Sequence, residues 1–278
     1  MKMPSVTRKG FALSLAAGLV VAATQLVSVG SVQAGIKGSK HDLGSGGTSQ
    51  LGATATTTEV CVFCHTPHGS NTGAPVPLWN KSLSTASYTR YSSLNTTTLD
   101  GSEAPVGSVS LACLSCHDGS QAMDVMINAP GSNGYNAAGA NFAGGVSMTG
   151  SPLPNLGTDL SNDHPVSIQY GGGGWKSADA DGASASTTLK DGSFKAGVKS
   201  TINANPAWWI DTSAGTANVR DKTDMVLYTR TLSGVVQPFV ECASCHDPHN
   251  ASTAGASSVA FLRISNTGSA VCLACHDK

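Results

Sequence analysis

The sequence predicts a mostly irregular fold, with short helices, a few short strands and a core that is not built from side chains alone. Only 5% of the 278 residues are aromatic and 12% are charged, whereas 32 are glycine. Few segments can therefore bury enough apolar surface to offset the entropy of the chain. The eight cysteines and eight histidines are the exception to this plain composition. We expect the fold to depend on what they bind.

The first element, residues 1–34, is predicted to be a cleaved secretory signal peptide. Lys2, Arg8 and Lys9 precede an apolar run at 11–29, and Val32-Gln33-Ala34 supplies the small residues of a cleavage site. An uncleaved membrane anchor is the alternative, although polar residues interrupt the run. No later stretch approaches the length of a membrane span, and a net charge of -1 argues against a nucleic-acid-binding protein.

All eight cysteines belong to four copies of the motif C-x-x-C-H. Motif 1 contains Cys61, Cys64 and His65; motif 2 contains Cys113, Cys116 and His117; motif 3 contains Cys242, Cys245 and His246; motif 4 contains Cys272, Cys275 and His276. This is the attachment pattern of c-type haem, in which two thiols bond to the porphyrin and the histidine binds iron. Disulfides and zinc are alternatives, but neither requires a histidine after every second cysteine.

The prediction is thus a multihaem cytochrome with four covalently attached c haems, whose stacked macrocycles supply the missing core. Residues 35–278 form a single domain in this interpretation. Haems 1 and 2 lie in 35–125, a loop-rich insert occupies 126–240, and haems 3 and 4 lie in 241–278.

Within this domain, the polar and glycine-rich stretch 35–52 would be a mobile tail unless His41 binds iron. Short helices are predicted at 110–117 and 270–276, at the haem motifs. Strands are predicted at 225–229 and 259–264, which are rich in branched and aromatic residues. Trp208 and Trp209 are interpreted as packing residues, and no long amphipathic helix is visible.

Four histidines remain after the motifs are counted, one for each iron: His41, His68, His164 and His249. The matching number favours histidine as the second axial ligand of every haem. Methionine is the alternative, at Met123, Met126, Met148 or Met225. Because six-coordinate iron has no open position for substrate, the sequence favours electron transfer at low potential and not an enzyme. An oxidoreductase with one open haem site is the alternative.

The chain resembles multihaem c-type cytochromes with doubled C-x-x-C-H motifs. It is similar to the subunits of extracellular cytochrome nanowires of the outer-membrane cytochrome E type. The matching segments are 38–42, the Cys-His-Thr-Pro-His sequence ending at His68, 76–80, 113–119, 163–166 and the final pair of motifs. The resemblance implies export to the cell surface or beyond and head-to-tail assembly with identical subunits. It also implies exchange of electrons with other redox proteins or extracellular acceptors. A periplasmic, monomeric electron shuttle is the alternative.

The shortest chain closure assigns His41 to haem 1. His249, held beside haem 3, is assigned to a neighbouring haem, haem 2, which leaves His164 for haem 3. Haem 4 then lacks a ligand from its own chain, and similarity to the nanowire subunits implies His68 of the next subunit. The alternative is a self-sufficient monomer in which His68 binds haem 2 and His249 binds haem 4.

Overall fold

The computed structural model describes residues 35–149, 154–175, 189–212, 216–250 and 261–277. The predicted signal peptide lies outside these residues. The described residues belong to one compact unit. Within the described residues, no helix has both the length and the apolar composition needed to cross a membrane.

The described residues form short helices and seven strands. The α-helices are α1 (Ser108–His117), α2 (Cys242–Cys245) and α3 (Ala270–Cys275). Single 3-10 turns occur at Cys61–Phe63, Tyr91–Leu94, Pro130–Ser132, Tyr170–Gly172 and Thr267–Ser269. The strands are β1 (Val125–Asn128), β2 (Tyr135–Asn141), β3 (Ile168–Gln169), β4 (Val198–Ile202), β5 (Asn205–Ile210), β6 (Met225–Leu232) and β7 (Val235–Val240).

Three of the four predicted elements are confirmed. Helix α1 contains the predicted segment 110–117, α3 covers the predicted segment 270–276 except for its last residue, and β6 begins at the predicted residue and extends three residues further. The strand predicted at 259–264 is wrong for its described part, because Phe261 has a left-handed φ of 67° and only Leu262 forms a β-bridge, to His246. Its first two residues lie outside the described part of the chain.

The insert carries an antiparallel five-stranded sheet of order β3-β7-β6-β5-β4, most of which the sequence analysis missed. Two-residue turns connect β4 to β5 and β6 to β7. Asn203 and Ala204 in the first turn, and Ser233 and Gly234 in the second, all have positive φ angles between 49° and 79°. Such turns match the right-handed twist of paired strands, so they fix the register of both hairpins.

One face of this sheet forms a hydrophobic cluster against motifs 3 and 4. Trp208 and Ile210 of β5 pair with Leu227 and Met225 of β6, so alternate residues share the buried face. The cluster also contains Tyr170, Trp175 and Val240, and Cys245, Ala274 and Cys275 pack against it. The interpretation of Trp208 as a packing residue is confirmed, and Trp209 is also buried.

A second hydrophobic cluster lies beside motifs 1 and 2, where regular structure is sparse. It consists of Leu43, Leu51, Ala55, Phe63, Met123 and Met126, with Cys64 and Cys116 packed against it. The segment 35–52 has anchors that the sequence analysis missed. The carboxylate of Asp42 accepts hydrogen bonds from the backbone N–H groups of Gly38 and Gly44, and Leu51 is completely buried. Ordering of this segment therefore does not depend on His41 alone.

Candidate functional site

The four C-x-x-C-H motifs share one local geometry. In motifs 1, 3 and 4, the backbone N–H of the histidine donates a hydrogen bond to the carbonyl of the first cysteine, at 2.8 to 3.2 Å. In motif 2, His117 is the last residue of α1. One helical turn therefore brings both thiols and the imidazole to the same side, which a ligand bonded by two thioethers and one axial nitrogen requires.

The motifs follow one another in space in the order of the sequence. Burial raises the pKa of Cys64 to about 11, and Cys116 of motif 2 is close enough to raise it further. The Cys113 thiol donates a hydrogen bond to Cys242, which raises the pKa of Cys113 well above its usual value. Burial raises the pKa of Cys275 to about 12, with a further contribution from nearby Cys245. Consecutive motifs are therefore neighbours in space, and we call the series from motif 1 to motif 4 the row.

The two ends of this row reach the surface. Of the eight cysteines, all of which are described and free of disulfides, Cys61 of motif 1 and Cys272 of motif 4 are exposed. The cysteines of motifs 2 and 3 are more enclosed. A buried hydrogen-bond network joins the middle of the row, since Ser110 of α1 donates to Glu241 and accepts from the N–H of Cys242.

In two places, a spare histidine and a motif histidine lie close enough for both imidazoles to bind one metal ion. The ring centres of His65 and His249 are 6.2 Å apart, and those of His41 and His117 are 6.1 Å apart. Two imidazoles that bind one metal from opposite sides, with metal–nitrogen bonds of about 2 Å, have ring centres roughly 6 Å apart. Both separations therefore fit an axial pair.

The remaining ring nitrogens are engaged as they are in metal-binding histidines. Nδ1 of His65 donates to the Pro77 carbonyl and Nδ1 of His117 to the Pro154 carbonyl, both at 2.8 Å. Such a bond fixes the tautomer and turns Nε2 toward a metal. Burial lowers the pKa of His41 to about 4, with His117 lowering it further and a hydrogen bond to the backbone of Pro248 opposing the shift. The neutral imidazole favoured there is the form that binds metal.

These pairs differ from the axial-ligand assignments made from the sequence. His41 lies against His117 of motif 2 and not against motif 1, and His249 lies against His65 of motif 1 and not against motif 2. Leu43, Leu51 and Ala55, which lie between His41 and motif 1 in the chain, are buried in the second hydrophobic cluster, and His41 lies beside motif 2. A single sequence carries no signal for which motif a distant histidine approaches in space.

The other two spare histidines, His68 and His164, are exposed, as is His249. Nδ1 of His164 donates to the Pro165 carbonyl at 3.1 Å, and the His68 carbonyl accepts from Asn128 at 2.7 Å. Neither imidazole packs against another imidazole within the described residues. The methionine alternatives occupy hydrophobic surroundings, because Met123, Met126 and Met225 are buried in the two clusters and Met148 packs beside one of them.

Within the described residues, no group of three or more His, Cys, Asp and Glu side chains is arranged to hold a bare metal ion. Residues 237–278, which contain motifs 3 and 4, match the family model described as the doubled CXXCH motif. No curated protein matches the chain. The matched motif indicates covalently bound haem c and supports a multihaem c-type cytochrome, and therefore electron transfer.

Proposed function

We propose that the protein is an electron-transfer cytochrome with four c haems, each bound by two histidines. The two imidazole pairs near 6 Å carry this proposal, because they bring spare histidines to motif histidines at an axial spacing. The four cysteine pairs would anchor the macrocycles, and His65, His117, His246 and His276 would be the first axial ligands. When bound, each iron supplies one-electron exchange between the ferric and ferrous states.

The protein's own residues orient this chemistry and exclude water from it. The Pro77 and Pro154 carbonyls hold the imidazoles of His65 and His117 in the ligating tautomer. Phe194 packs on the ring of His276, with ring centres 4.4 Å apart. The close succession of motifs favours transfer along the row. No substrate position is part of the proposal, so the protein is not proposed to be an enzyme.

Intact mass and paramagnetic resonance of the mature protein test this proposal together. We expect four covalent haems and only low-spin ferric signals. A pair of free motif thiols would contradict the count of four. A high-spin ferric signal would favour the second candidate, an oxidoreductase with one open haem.

The two remaining spare histidines, His164 and His68, extend the proposal to the assembly of identical subunits. Ser167, three residues after His164, donates a hydrogen bond to Glu241 beside motif 3, so we assign His164 to haem 3. His68 stands exposed next to motif 1, at the opposite end of the row from motif 4. We therefore assign it to haem 4 of the next subunit. Such a contact joins different surfaces of identical chains and generates a filament.

The surface near His68 supports this assembly. Tyr135 and Leu78 are 63% and 50% exposed, and the ring of Tyr135 approaches Gly69, directly after His68. At the other end of the row, Leu273 of motif 4 is 40% exposed. Large exposed apolar side chains at both ends suit an interface between copies.

A His68→Ala variant, with His164→Ala as the matched control, tests the filament by electron microscopy. We expect His68→Ala to abolish filaments and to make haem 4 high-spin, whereas His164→Ala perturbs haem 3 and leaves assembly in place. Filaments that persist in His68→Ala would contradict the shared ligand. A wild-type protein that is monomeric at all concentrations would instead favour a periplasmic shuttle.

We also propose that the protein is exported, to the cell surface or beyond, after removal of residues 1–34. The basic start, apolar run and small residues at the cleavage position support this. Covalent haem c attachment also fits a compartment outside the cytoplasm. N-terminal sequencing of the secreted protein is expected to begin at Gly35, and a cell-associated protein that keeps Met1 would contradict export.

A further inference from the structure

A lysine is buried between motif 1 and β1. Lys81 is only 1% exposed, although ammonium groups are almost never fully buried without a partner of opposite charge. Within the described residues, no carboxylate oxygen lies within 4.0 Å of its Nζ. The protein therefore keeps a cation in a place where it costs stability.

Backbone carbonyls hold this cation in position. Nζ donates to the carbonyl of Met123 at 2.6 Å and to that of Val125 at 2.8 Å, distances typical of bonds from a charged donor. The preceding residue, Asn80, is completely buried and donates to the carbonyl of Val62 within motif 1. Asn80 thus ties this segment to motif 1, and the two carbonyls hold the ammonium of the next residue in place.

Asp124, which lies in the chain between the two residues whose carbonyls bind Lys81, has partners of its own. Asp124 is completely buried, and it accepts hydrogen bonds from the backbone N–H groups of Ala143, Gly145 and Val146 at 2.6 to 3.0 Å. Its charge is stabilised by these amides and makes no ion pair with Lys81. On the motif side, the backbone N–H of Asn80 donates a hydrogen bond to the carbonyl of Cys64 at 2.8 Å. Lys81, the next residue, is therefore a buried cation held beside motif 1.

We propose that Lys81 raises the reduction potential of the haem attached at Cys61 and Cys64. Reduction adds one electron to the ferric centre and lowers its charge by one, so a nearby buried cation favours the reduced form. The electron comes from the redox partner or the neighbouring haem. This inference rests on the proposed haem at motif 1.

Spectroelectrochemical titration of the purified four-haem protein tests this role with Lys81→Gln and Lys81→Met. Gln keeps N–H donors for the two carbonyls, whereas Met keeps only the length of the side chain. We expect one of the four midpoints to shift downward in both variants. Lys40→Gln is the matched control, because Lys40 is exposed and donates only to the Thr48 carbonyl, and it should leave every midpoint unchanged.

Mass spectrometry of the haem peptide around Cys61 and Cys64 separates the two proposals. A loaded motif 1 with unchanged midpoints in the Lys81 variants would overturn the role of Lys81 and leave the cytochrome proposal intact. A wild-type motif 1 without haem would overturn both. If Lys81→Met does not accumulate, Lys81→Arg replaces it. Arg keeps the charge, so equal midpoints in the Gln and Arg variants would also overturn the inference.

Discussion

Residues 35–149 and residues 154–277 each carry two copies of the same motif, yet they support them by different means. In the second region, a five-stranded sheet packs its alternating apolar face against motifs 3 and 4. The first region has only the two-stranded β1-β2 sheet and a small cluster of loop side chains beside motifs 1 and 2. The motif therefore does not dictate the scaffold around it.

Buried polar side chains replace the missing backbone ladder in the first region. Asn80, Lys81, Asp118 and Asp124 are at most 7% exposed, and each hydrogen-bonds backbone groups or hydroxyls of distant loops. Buried backbone groups must find partners, and in a loop these partners have to be side chains. Stability in this region thus depends on individual residues, whereas in the sheet it is shared among many backbone bonds.

The largest expected effect follows from removing the proposed haem of one motif in each region. Replacing Cys61 and Cys64 by Ala should lower the yield of folded protein several-fold, because the loop cluster loses the group around which it packs. Replacing Cys272 and Cys275 by Ala should leave the sheet protected, since its backbone pairing remains. Soluble yield and limited proteolysis measure both. Equal losses in the two variants would show that the sheet gives motif 4 no independent support.

Asn80→Ala should have the next largest effect, roughly 3 kcal/mol of unfolding free energy, because it leaves several buried groups without partners. The Asn80 amide donates to the carbonyls of Val62 and Asn128 and accepts from the N–H of Asn128, all within 2.9 Å. Asn205→Ala is the control. Its side chain bonds only the exposed turn of the β4-β5 hairpin, and its loss should cost less than about 0.5 kcal/mol. Chemical denaturation at equal haem content compares them.

The difference between the regions also limits what the sequence could predict. The four motifs, the helices at 110–117 and 270–276 and the start of β6 are local signals, and they were found. The β4-β5 hairpin turns through Asn203-Ala204, which is a weaker turn signal than Asn-Gly, and β7 contains Pro238. For these reasons, the sequence analysis did not predict β4, β5 or β7. The roles of Asn80 and Lys81 depend on partners more than 40 residues away in the chain. No pattern in a single sequence marks such partners.

The stability that the buried carboxylate of Asp118 contributes to the first region should depend on pH. Burial raises the pKa of Asp118, but hydrogen bonds from Ser84, Tyr88 and Ser120 outweigh it and hold the pKa below its ordinary value. The stability from ionised Asp118 is therefore present above the unfolded pKa of about 3.9 and is lost as pH falls through the lower folded pKa. Asp118→Asn should cost about 1–2 kcal/mol at pH 7, and the cost should shrink below about pH 4.

The control for this prediction is Asp159→Asn in the second region. Asp159 is exposed, and its pKa is lowered by hydrogen bonds from Ser161 alone. We expect a smaller change in unfolding free energy than for Asp118→Asn across the same pH range, measured by circular dichroism. An equal or larger change in unfolding free energy for Asp159→Asn would contradict the view that buried polar networks stabilise the first region.

The smallest effects are expected from two buried tryptophans whose indole N–H groups have no protein partner. Trp208 lies in the sheet cluster, at 6.3 Å from the ring of Trp175, and Trp79 lies edge-on to His65 at 6.2 Å. Replacement by Phe leaves a small cavity but removes an unsatisfied donor, so each variant should lose only about 1 kcal/mol of unfolding free energy.

The two variants should differ in the haem spectrum. Because the Trp79 ring contacts His65, Trp79→Phe should alter the signals of the proposed haem 1, whereas Trp208→Phe should leave the signals of haem 1 unchanged. A spectrum that responds equally to both would mean that the sheet is as close a part of haem binding as the loops are.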